Sequence, residues 1–129
     1  MVELTGRKLS MKWRNKKMRN HFNNCVLWKA HLYGFDESTL KCIEFATGKE
    51  KWSHGGLGKG SLMLADGKLI CMGDSGTLVV APASPDGFKP LAAAKVLDKL
   101  CWTQPVLSGG RIYCRNHPGD LVCVDVSGK

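Results

Sequence analysis

The feature that most constrains this chain is a motif written three times. Val26-Leu27-Trp28-Lys29-Ala30-His31-Leu32-Tyr33, Met63-Leu64-Ala65-Asp66-Gly67-Lys68-Leu69-Ile70 and Val106-Leu107-Ser108-Gly109-Gly110-Arg111-Ile112-Tyr113 align without gaps. Each copy sets a tight turn between two apolar pairs, with a basic residue or His directly after the turn. Asp66-Gly67 and Gly109-Gly110 suit two-residue hairpin loops, whose central residues take positive φ. Lys29-Ala30 stands at that place in the first copy. Its turn must be strained or of another type, because side chains with a Cβ resist positive φ.

The repeat continues downstream. Leu40, Leu78 and Leu121 open a third apolar run, LKCIEF, LVVAPA and LVCVDV, each preceded by a polar turn at 36–39, 74–77 or 118–120. These leucines stand 38 and 43 residues apart. A period near forty made of three or four short antiparallel strands is that of a propeller blade. Helical periodicity is weak; Leu91–Leu97, after Pro90, is the one candidate. The fold class expected is therefore all-β, with about three four-stranded antiparallel blades of an incomplete ring. Residues 1–17 read as the end of a preceding blade, a basic edge strand. Residues 18–53 read as a first full blade, 54–103 as a second, and 104–129 as a last blade lacking its outer strand.

Charge is uneven along the chain. Seven of the 19 Lys and Arg lie between Arg7 and Arg19, and from Asn20 onward 12 basic residues face 10 acidic ones. Such a cluster suits nucleic acid or an anionic surface; an edge strand blocked by lysines is the preferred reading. No apolar run spans a bilayer, and no signal peptide is visible. The six cysteines form no C-x-x-C pair and no Cys/His metal spacing. Cys42, Cys71, Cys114 and Cys123 sit in apolar runs and are expected as core positions. If Asn116 pairs with Leu121, Cys114 falls directly opposite Cys123, where two packed thiols are preferred over a strained cross-strand disulfide.

One copy carries a further signature, Glu44, Thr47, Gly48 and Trp52, within IEFATGKEKW. A carboxylate there can accept backbone N–H groups of the turn, Gly48 can take a left-handed conformation, and Trp52 can pack between neighbouring blades. These residues resemble the repeat of the quinoprotein-type (PQQ-like) β-propellers, roughly A-x-D-x-x-T-G-x-x-x-W. Glu44 replaces the usual Asp and Cys42 the small residue, Asp125-Val126-Ser127-Gly128 is a shortened copy, and the middle repeat lacks Thr-Gly and the Trp. The resemblance implies a C-terminal piece of a longer propeller, similar to BamB-like exported bacterial proteins and periplasmic at full length. It implies a non-catalytic scaffold or binding module without a cofactor. Its partners would be the remaining blades of a longer chain, self-association through open sheet edges, or another protein. The alternatives are a piece of a PQQ-dependent quinoprotein dehydrogenase, holding PQQ with Ca²⁺, and nucleic-acid or anionic-surface binding through residues 7–19.

The Gly-rich stretch WSHGGLGKGS raises the question of a phosphate loop. With Gly58-Lys59 as the G-K pair, the first glycine would fall on Ser53, Gly60 stands where Ser or Thr belongs, and a strand follows. The P-loop pattern fails at each point. The repeat register instead aligns Phe22, Lys59 and Trp102 in loops that run from one blade to the next and end beside the propeller axis. His21, Asn23, Lys59, Ser61, Trp102 and Gln104 are the ligand-contact candidates, against a purely structural role in turning the chain and capping strands. His21, His31, His54 and His117 share no metal-binding spacing, and no catalytic set of acids or nucleophiles stands out.

Overall fold

The computed structural model describes residues 1–128, which carry thirteen strands and no helix. β1 (Val2–Thr5) and β2 (Lys8–Met11) pair with each other as a hairpin. β3 (Val26–Trp28), β4 (His31–Asp36), β5 (Thr39–Glu44) and β6 (Glu50–His54) form a four-stranded antiparallel sheet in chain order. β7 (Ser61–Ala65), β8 (Lys68–Met72), β9 (Thr77–Pro82) and β10 (Ala92–Lys95) form a second. β11 (Val106–Ser108), β12 (Arg111–Arg115) and β13 (Leu121–Asp125) form a third, three-stranded one. The all-β reading holds, and each of these meanders has the order of a propeller blade. The helix candidate near residue 91 is a strand. Ala92–Ala94 pair with Val80, Val79 and Leu78 and complete the outer edge of the second sheet.

The local chemistry repeats with the sequence. All three first hairpins turn through two residues at positive φ: Lys29 and Ala30 (43° and 64°), Asp66 and Gly67 (47° and 66°), Gly109 and Gly110 (55° and 73°). The first copy keeps the geometry of the others without a glycine. The residue after the third strand then donates back to the turn: Phe45 N–H to Ala30 O at 2.9 Å, Ala83 to Gly67 at 2.9 Å, Val126 to Gly110 at 2.8 Å. Equivalent bonds tie each incoming loop to the second turn, from Glu37 to Arg19 O, Asp74 to Leu57 O and His117 to Leu100 O. The Glu44 turn closes differently from expectation. The backbone carbonyl of Glu44 accepts Gly48 N–H at 2.9 Å, and its carboxylate accepts the Thr47 hydroxyl instead of backbone amides. In the shortened copy Asp125 does accept a backbone amide, that of Ser127, at 2.9 Å.

Alternation along the strands builds two cores. Tyr33, Phe35, Leu40 and Cys42 of the first sheet pack on Leu62, Leu69, Cys71 and Val79 of the second. Ile70, Met72 and Leu78, from the opposite face of that second sheet, pack on Ile112 and Cys114 of the third. The outward face of the first sheet is covered by the chain between β2 and β3. A Cβ on Gly34 would stand 2.8 Å from both Cys25 and Met18 side chains, and Trp13 Nε1 donates to Phe45 O at 2.9 Å. Asp36, buried, clamps this segment. It accepts Arg19 Nε at 2.6 Å and Arg19 N–H at 3.1 Å, and Lys41 Nζ lies 2.8 Å away. The Arg19 guanidinium, aided by Lys41, holds the Asp36 carboxyl well below its ordinary range. By contrast, Val106, Leu121 and Cys123 are exposed on the outward face of the third sheet.

The expected pairing of Cys114 with Cys123 is corrected. β12 and β13 pair Cys114 with Val122 and Tyr113 with Cys123, which puts the two thiols on opposite faces. The cause is Asn116, whose Oδ1 accepts the amides of Gly119 (3.0 Å) and Asp120 (2.8 Å). That inner cap pairs Asn116 with Asp120, shortens the loop by one residue and shifts the whole register. All six cysteines are free thiols; Cys123 is exposed rather than a core residue, and Cys101 is buried in its stead. Burial pushes the Cys71 thiol up to about 12 and those of Cys42 and Cys114 to about 11.

Candidate functional site

The three loops aligned by the repeat meet one another. His21 and Phe22, ahead of β3, lie against Trp102, ahead of β11, with ring centroids 5.9 and 5.0 Å from the indole. Asn23 Nδ2 donates to Gly60 O at 2.6 Å, tying the first loop to the second. Gln104 Nε2 donates to Leu62 O at 2.7 Å, tying the third to β7. Ser61 Oγ lies 3.5 Å from Thr103 O. The loops of three successive sheets are thus joined by side-chain-to-backbone bonds, which buried carbonyls require.

Of the six candidates, Asn23, Ser61 and Gln104 each turn one polar atom, Nδ2, Oγ and Nε2, on neighbouring backbone. Asn23 Oδ1 is buried without a hydrogen-bond partner among the described residues. His21 and Trp102 are exposed and share one aromatic cluster with Phe22. Lys59 goes elsewhere: its Nζ pairs with Glu37 at 3.4 Å, over the β4–β5 turn. Sequence reasoning missed Phe22 as a contact of Trp102, although the repeat register aligned the two. It also missed Asp74, whose backbone N–H bonds the incoming loop as that of Glu37 does in the first sheet.

Asp74 explains the Gly-rich stretch. Its Oδ2 accepts the backbone N–H of Lys59 at 2.9 Å. Gly58, at φ +64°, leaves room for that carboxylate, since a Cβ there would fall 2.1 Å from Asp74 Oδ1. Gly60 is packed against Phe35 and Met72 O, with 2.5 and 2.6 Å to an added Cβ. The loop amide that a phosphate would take is already bonded to an anion of the chain itself, and the glycines serve close packing. Among the described residues no three His, Cys, Asp or Glu side chains come together as a metal site, and no helix is long and apolar enough to cross a membrane.

No family signature matches the chain, and no curated protein matches it in sequence. Solved structures do. BamB from Moraxella catarrhalis superposes with a TM-score of 0.68 at 14% identity, over 81% of this chain and 33% of BamB. The computationally designed protein Ika8 gives 0.65 at 16% identity, over 81% and 33%. The chain spans about a third of the length of each. At such identities the likeness carries the fold alone, and that fold is a set of propeller-type β-blades, of the kind found in BamB.

Proposed function

We propose that the chain is a non-catalytic propeller scaffold, part of a longer ring, in which the outward face of the third sheet receives another blade. The observation that carries this reading is the contrast between the covered first sheet and the apolar residues Val106 and Leu121, 58% and 67% exposed. Sheets in such a fold are covered on both faces, and exposed apolar residues grouped on one sheet face mark a contact. The additional blade would come from a longer chain or from a second copy. On the loop side, His21 and Trp102 would offer an aromatic surface to a protein partner, with Asn23, Ser61 and Gln104 holding the loops beneath it.

Sedimentation of the 129-residue chain tests the contact. Association that rises with concentration and is lost in Val106→Glu/Leu121→Glu is expected; a strictly monomeric wild type would remove the self-association route. A PQQ and Ca²⁺ titration with an alcohol and a redox dye tests the catalytic alternative. No dye reduction is expected, and PQQ-dependent turnover would sink the non-catalytic reading. Binding of a DNA duplex with a steep salt dependence would move the assignment to the basic segment.

A further inference from the structure

We infer that the cleft between the second and third sheets is a binding site for a small, planar, largely uncharged aromatic molecule of about indole size. It lies at the end of the sheets that carries the first hairpin turns, and it is independent of the scaffold reading. Its volume is about 420 Å³, and Ala65, Ile70, Val80, Ala92, Leu107 and Ile112 are among its walls. Ligand pockets of this kind run from about 300 to 1,000 Å³ and are mostly apolar.

The neighbouring interface shows what fills such a place. Trp28 ends β3 just before its hairpin turn, and Ala65 ends β7 at the same point. Trp52 stands opposite Cys42 on the outer strand, and Ala92 stands opposite Val80, the equivalent position of the second sheet. Tyr33 of the first sheet corresponds to Ile70 of the second. Between the first and second sheets, Trp28 lies flat enough on Gly67 that an added Cβ would stand 3.3 Å from its ring, while Trp52 lies between Tyr33 and Phe88. Between the second and third sheets both indoles are replaced by methyl groups. Gly110, the counterpart of Gly67, lines the cleft and has Ser127 rather than an indole against it, 2.9 Å from an added Cβ.

The missing volume is that of aromatic rings, which fixes the shape of the occupant. An apolar void of this sort takes up flat apolar molecules readily, because water gains few bonds inside it. The charged groups at the mouth, Asp66 and Lys68, pair with each other at 3.0 Å, so the cleft offers no unpaired charge and selects a neutral ligand.

The test uses the whole chain and 5-fluoroindole, followed by ¹⁹F NMR, with amide shifts of the protein recorded alongside. Saturable binding at one site is expected, with Kd on the order of 0.1–1 mM. Amide shifts should centre on Ala65, Ala92 and Gly110. Ala65→Trp should fill the cleft and weaken binding at least tenfold, and Ala92→Trp fills it from the outer strand should the first variant not fold. Absence of saturation up to the solubility limit would overturn the proposal. So would unchanged affinity in a folded filling variant, or shifts mapping to Val106 and Leu121 instead.

Discussion

The two faces of the second sheet meet their neighbours in different ways. Toward the first sheet, Leu69 and Cys71 sit under a layer closed by Trp28, Trp52 and Phe88, with Trp52 Nε1 donating to Ser84 O at 2.8 Å. Toward the third, Ile70 and Met72 are as buried, yet the layer above them ends in Ala65 and Ala92 and leaves a cleft. The same repeat, with the same hairpins and back-bonds, produces one sealed interface and one open one. Large aromatic side chains at two positions make the difference, because they supply far more buried area and dispersion contact than methyl groups.

The largest test of this contrast is a pair of truncations. Trp52→Ala should cost about 3 kcal/mol in urea unfolding, since it removes a ring packed on Tyr33 and Phe88 and leaves Ser84 O unpaired. Leu107→Ala, on the wall of the cleft, should cost only about 1 kcal/mol, because part of its surroundings is already empty. Equal losses would break the comparison.

Next in size is the charged clamp on the segment that covers the first sheet; at the equivalent place of the third sheet stands Asn116, whose Nδ2 donates to Asp98 O at 3.1 Å. Asp36→Asn should cost about 2 kcal/mol near neutral pH, because Arg19 and Lys41 lose a charged acceptor. The carboxyl is held below its ordinary 3.8, so its contribution is full above that pH and is lost as pH falls toward the lower folded value. Unfolding midpoints of wild type and Asp36→Asn should therefore converge below about pH 4. A constant gap down to pH 2 would place the effect in packing instead.

A smaller gain is expected at the turn that presents Trp28. Ala30 holds φ +64° where the other copies have glycine. Ala30→Gly should stabilise the chain by about 1 kcal/mol, and a loss would show that the methyl group contributes packing there. The smallest effect belongs to Lys59. Its partner Glu37 and its own side chain are both about 40% exposed, so Lys59→Ala should change unfolding by less than about 0.5 kcal/mol.

Much of the fold was legible because it is written in local chemistry. Asp-Gly and Gly-Gly between apolar pairs specify two-residue hairpins, and the leucine spacing specifies how many strands make a unit. The meeting of the loops was legible in part: register aligned Phe22 with Trp102, but not the contact between them. The direction of Lys59 was not legible at all, since it depends on Glu37, a residue of another sheet. The pairing of β12 with β13 was misread because an Asn side chain can replace a backbone partner and tighten a loop by one residue. One residue of slip exchanges the two faces of a strand.

The sequence by itself determined the all-β class, the three-fold hairpin repeat and the positive-φ turns at Asp66-Gly67 and Gly109-Gly110, because these depend on residues within a few positions of each other. Only the tertiary structure decided which side chains face which neighbour, how the three loops lock together and where an interface remains unfilled. Those outcomes depend on contacts across some thirty to forty residues of chain, such as Trp52 with Ser84 and Asn23 with Gly60. At that separation, volume and register, rather than local preference, set what can pack.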